Sequence, residues 1–106
     1  MKFRGGMAEL MRQASRMQRK IEARREELKA QSFEATAGND RVKVVVNGGA
    51  EVVSVSIDKA LLDEEGLEMV QDLIAAATNA ALAKAKETVD AELEKITGGV
   101  QIPGIG

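Results

Sequence analysis

The sequence predicts an α+β fold: a long N-terminal helix, a three-stranded antiparallel meander, a short helical turn and a long C-terminal helix. Three observations carry this reading. From Arg41 to Asp58 the chain reads RVKVVVNGGAEVVSVSID, an alternation of β-branched residues broken once by Asn47-Gly48-Gly49. Before it, apolar residues recur at steps of three and four; after it comes an alanine-rich segment with helical periodicity. A lone hairpin is marginal in water, so the valine face must be buried against those flanking helices.

The first helix is expected over 7–31. Met7, Leu10, Ala14, Met17, Ile21 and Leu28 form a heptad-like seam, with Arg24 in its one gap. About 25 residues at 1.5 Å each make a rod of roughly 37 Å. One small sheet cannot cover such a rod, so part of the seam should meet another helix. SFEATA, 32–37, is the first strand, with Phe33 and Ala35 on one face and Gly38-Asn39-Asp40 as its turn. Val42, Val44 and Val46 form one face of the second strand; Val53, Val55 and Ile57 alternate along the third. Asn47-Gly48-Gly49 supplies residues that accept positive φ, as a hairpin turn demands. The open edges of such a sheet invite pairing with another chain.

Asp58 is placed to cap a short turn, Lys59-Ala60-Leu61-Leu62, and Asp63-Glu64-Glu65-Gly66 is expected to break it. The second long helix should run from Leu67 to about Ile96 and end at Gly98-Gly99. Leu67, Val70, Ile74, Ala77 and Ala81 share a stripe suited to the sheet. Leu82, Val89, Leu93 and Ile96 lie on a stripe rotated by about 80° and should pack on something else. Residues 98–106 have no periodicity and are expected to be mobile.

With 106 residues, 44% hydrophobic and 30% charged, the chain suits a single domain spanning 1–106. It has no Cys and no His, which excludes disulfides, thiolate metal sites and two common nucleophile–base arrangements. No enzymatic activity, cofactor, metal or small-molecule substrate is expected. Asp63, Glu64 and Glu65 read as a solvated helix start rather than a cation site. The first residues lack the apolar core of a signal peptide, and no apolar run is long enough to span a bilayer. A cytoplasmic location follows as the default.

The net charge of −2 hides an asymmetry. Residues 1–31 carry nine Lys and Arg against four Asp and Glu, a balance of +5; the remainder carries six against thirteen, a balance of −7. With Met7 at zero, Arg12, Arg16, Arg19 and Lys20 project at about 120–220°, opposite the apolar seam. Arg12–Arg16, Arg16–Lys20, Lys20–Arg24 and Arg25–Lys29 are like-charge pairs at i,i+4, each costing about 0.2–0.5 kcal/mol in an isolated helix. Glu9 beside Arg12 and Glu22 beside Arg19 offset part of this. A helix selected for stability alone would alternate signs, so the run points to a polyanion; a solvated face and pairing with the acidic second helix are the alternatives. Candidate DNA contacts are Arg4, Arg12, Arg16, Arg19, Lys20 and Arg24. Only Phe3 and Phe33 are aromatic, too few for the stacking platforms of single-strand binders, so duplex backbone contact is the natural mode.

The order GGMAELMRQASRMQRKI, VKVVVNGGAEVVSVSID, LEMVQDLIAAATNAALAKAKE and GGVQIPG resembles the YbaB/EbfC family of small bacterial nucleoid-associated proteins across nearly the whole chain. The resemblance implies a helix–sheet–helix fold, a tweezers-like homodimer, a nucleoid location and double-stranded DNA binding with little sequence preference. In the dimer, Val45, Val52, Ile21 and Leu28 are expected to lose exposure. A second reading, from another class, is a helical-arm chaperone or adaptor that grips protein clients. An exposed apolar patch on the arms would favour it.

Overall fold

The structure, a computed structural model, describes residues 2–98, with side chains from residue 6 onward. In order, the elements are α1 (Lys2–Lys29), β1 (Ser32–Ala37), β2 (Val42–Asn47), β3 (Val52–Ile57), α2 (Lys59–Glu65) and α3 (Leu67–Thr97). This is the expected helix–meander–short helix–helix order.

The strands pair antiparallel in the order β1-β2-β3. Phe33 faces Val46, Ala35 faces Val44 and Ala37 faces Val42 across the first ladder. Val42, Val44 and Val46 are fully buried beneath α3. Each such valine stabilises the fold by about 1.5–3 kcal/mol relative to an exposed one. From α3 come Val70 and the small residues Ala77, Ala81 and Ala85, all buried, which let the helix lie close to the pleat. This is the first core.

The second half of α3 runs past the sheet and pairs with α1. Ile21 and Leu28 pack on Leu93, flanked by Met17, Val89 and Ile96. Arg24 meets Glu92, and Ile96 lies beside Met17, so the helices are antiparallel. The seam on α1 thus finds a helix, as its length required, but only over its C-terminal half. Past Met17 the tip overhangs α3, and Met7, Leu10 and Met11 are exposed. The result is an elongated body of 76 × 19 × 17 Å with a helical arm.

Several local expectations need correction. Gly48 and Gly49 do not take positive φ; in that hairpin Ala50 does, at 62°. Asn47 closes the loop, donating from its amide to the Glu51 carbonyl (2.9 Å) and accepting from Ala50 N–H (3.1 Å). This is a three-residue loop with its left-handed position last, so local sequence assigned the conformation to the wrong residue. Glycine is needed at 48 for space: a Cβ there would stand 2.0 Å from the Leu28 carbonyl oxygen. Asp63, Glu64 and Glu65 continue α2; the break is at Gly66 alone (φ 86°). Asp58 caps α2, accepting from Ala60 N–H at 3.0 Å. Gly98 caps α3 in the left-handed region, donating to the Glu94 carbonyl at 2.7 Å. Leu67 is exposed rather than part of the sheet-facing stripe. Ile21 and Leu28, expected to be covered in a dimer, are already buried within one chain. The tail at 99–106 lies outside the described residues.

Strand β3 is exposed along its whole length. Val55 and Ile57 pair with Val44 and Val42, so they stand on the face that α3 covers elsewhere. The helix crosses β1 and β2 and leaves β3 bare. A bulge between Val45 and Val46 makes Val53 the extra residue of that ladder.

Candidate nucleic-acid interface

Helical geometry delivers the basic residues to the exposed side of α1, with Arg16 and Lys20 bordering Ile96 of α3. Arg12, Arg16, Arg19 and Lys20 are all exposed. They are not equivalent. The Glu9 carboxylate joins two of them: Arg12 Nη2 lies 2.7 Å from its Oε2 and Arg16 Nη2 3.6 Å from its Oε1. Gln13 donates to the same Oε1 at 3.4 Å. Among the described residues, Arg19 and Lys20 take part in no ion pair.

Arg24 departs from the group. It donates to Glu92 Oε1 at 2.5 Å and lies 3.5 Å from Glu27 Oε1, half-buried between the helices. The Glu92 hydrogen bond raises its pKa further above the usual guanidinium value, against some desolvation. Glu92 is held below the usual carboxylate range by hydrogen bonds from Lys95 and then Arg24. Arg24 therefore sits where it joins the arm rather than on the free basic face. The side chain of Arg4 lies outside the described residues.

Arg25 was absent from the expected set. It is exposed, has no ion pair among the described residues, and lines a shallow groove with Arg19, Glu22, Glu26 and Lys29. The doubled Arg24-Arg25 was a signal for it, but only the structure shows which of the two is engaged.

The second long helix offers no comparable charge. Lys84 donates to the Glu34 carbonyl (2.8 Å), Lys86 pairs with Asp90 (2.8 Å) and Lys95 with Glu92 (2.6 Å). Phe33 is buried in the sheet, where no base can reach it. Glu64 lies 2.6 Å from Arg41, tying α2 to the sheet. Among the described residues no cluster of three metal-ligating side chains forms, and no helix is long and apolar enough to cross a membrane. What the arm can do chemically is present guanidinium and ammonium groups to an extended anion.

Comparison with known proteins agrees with this picture. A nucleoid-associated protein of Myxococcus xanthus is 50% identical over 95 residues, covering 90% of each chain. One of Acetivibrio thermocellus is 46% identical over 104 residues, covering 97% of this chain and 92% of that one. The crystal structure of an uncharacterized Helicobacter pylori protein shares the fold, with a TM-score of 0.62 at 24% identity, over 74% of this chain and 90% of that one. The sequence model of the YbaB/EbfC DNA-binding family matches residues 3–100, and the chain belongs to that family.

Proposed function

We propose that this protein is a nucleoid-associated protein that binds double-stranded DNA as a homodimer, with low sequence specificity, through the basic face of α1. The observation that carries the reading is the free basic run: Arg19, Lys20 and Arg25 exposed and unpaired among the described residues, with Arg12 and Arg16 held only by Glu9. Family membership and the relatives named as nucleoid-associated proteins support DNA as the polyanion and the nucleoid as the location. Contacts of this kind go to phosphates, which position a protein without reading bases.

The dimer is argued from β3. Among the described residues its outer edge has no neighbouring strand, and Val52, Val53, Val55 and Ile57 are all exposed. Leu62, Leu67 and Met69 add apolar surface on α2 and α3. A second copy, meeting the first in a two-fold contact, covers these residues. Val45 and Val52 fall among those expected to lose exposure.

Fluorescence anisotropy of a labelled duplex against salt tests the DNA reading. If about six to eight basic side chains of a dimer reach phosphates, log affinity falls with log salt at a slope of roughly −5 to −7. A flat profile would contradict it. One observation favours the second reading: Met7, Leu10 and Met11 form an exposed apolar tip, suited to gripping a protein client.

A further inference from the structure

Arg12 and Arg16, in the N-terminal half of α1, do not point independently into solvent. Both guanidinium groups converge on one carboxylate: Arg12 on Glu9 Oε2 at 2.7 Å and Arg16 on Glu9 Oε1 at 3.6 Å. Gln13 adds a third donor, to Oε1 at 3.4 Å. With Arg12 on Oε2 and both Gln13 and Arg16 at Oε1, the Glu9 carboxylate is a fair stand-in for two oxygens of a phosphate.

We infer that Arg12, Gln13 and Arg16 form a cradle for one backbone phosphate, and that Glu9 occupies it in the free protein as an intramolecular competitor. The inference rests on the DNA-binding reading and adds a regulating residue to it. For a phosphate to enter, the Glu9 side chain must swing away. It then remains close by as an unpaired negative charge, opposing the ligand. The competition is shallow because every group is exposed: the side chains of Arg12, Arg16 and Glu9 are 64%, 58% and 47% accessible. Exposed pairs are weak and screened by salt, so Glu9 lowers affinity without abolishing it. Binding is thereby kept modest and reversible at the tip, while Arg19 and Lys20 hold the duplex without competition.

The test is duplex-binding anisotropy with Glu9→Gln, with Glu22→Gln as the control. Glu22 lies on the same helix, is exposed and makes no ion pair among the described residues, so its change alters net charge equally. Glu9→Gln should tighten binding by about twofold to fivefold at low salt, with the gain shrinking as salt rises. Glu22→Gln should do distinctly less. In an Arg12→Gln background the gain from Glu9→Gln should largely disappear, because Arg12 makes the closer pair. Equal gains from the two Glu variants, or a gain that persists undiminished without Arg12, would overturn the cradle while leaving DNA binding in place. No binding of the duplex by the unaltered protein would overturn both readings together.

Discussion

An added methyl group at Gly48 would meet the Leu28 carbonyl oxygen at 2.0 Å and its carbon at 2.6 Å, both backbone atoms with little freedom to move. Gly48→Ala should therefore force the end of α1 off the β2–β3 loop, costing about 1–3 kcal/mol. Two positions later the requirement is reversed. Ala50 holds φ at 62°, in a region that disfavours any Cβ. Ala50→Gly relieves that strain but frees the unfolded chain, for a net gain of about 0.5 kcal/mol. Thermal melts of the two variants check both signs. The sequence located this turn but not its conformation. The turn chemistry is local, whereas the constraint on Gly48 comes from a helix end that no local pattern reveals.

The α1–α3 arm depends on one small cluster and one ion-pair network. Leu93 is buried against Ile21 and Leu28, so Leu93→Ala should cost about 2–5 kcal/mol and loosen the arm ahead of the sheet. Hydrogen exchange of α1 amides, compared with those of β2, reads that order of opening. Glu92 links Arg24 and Lys95, and its carboxyl is held below the ordinary value of 4.5. A depressed acid stabilises the fold above its unfolded pKa, and that contribution is lost as pH falls from there through the lower folded value. Arm stability should thus drop on acidification below about pH 4.5, and Glu92→Gln should remove that part of the drop. Circular dichroism titration of both proteins checks it. The long helices, the meander and the caps at Asp58 and Gly98 were legible because periodicity and capping are local signals. Which half of the α1 seam is buried was not, because it depends on where α3 ends. For the same reason Arg24 read as a candidate DNA contact when its partner, Glu92, lies on the other helix.

At the scale of the molecule, the bare third strand and the basic arm are separate surfaces, to which the proposed function gives separate roles. The valines of β3 looked like core in the sequence because alternation reports that a face is buried, not what buries it. Val55 and Ile57 are 43% and 42% exposed. Val55→Lys should leave the chain folded and shift sedimentation towards monomer; an unchanged dimer would place the contact elsewhere. Changing Arg12, Arg16 and Lys20 together to Glu should leave the dimer intact, since all three are exposed on α1 and none belongs to the apolar patch of β3, α2 and the start of α3. Binding of a labelled duplex by that triple variant, followed by anisotropy with sedimentation as a control, tests the central claim most directly. Loss of DNA binding by a protein that remains dimeric is the expected result. Undiminished binding by the dimeric variant would contradict it, and would leave the exposed tip at Met7, Leu10 and Met11 as the better guide to what the arm grips.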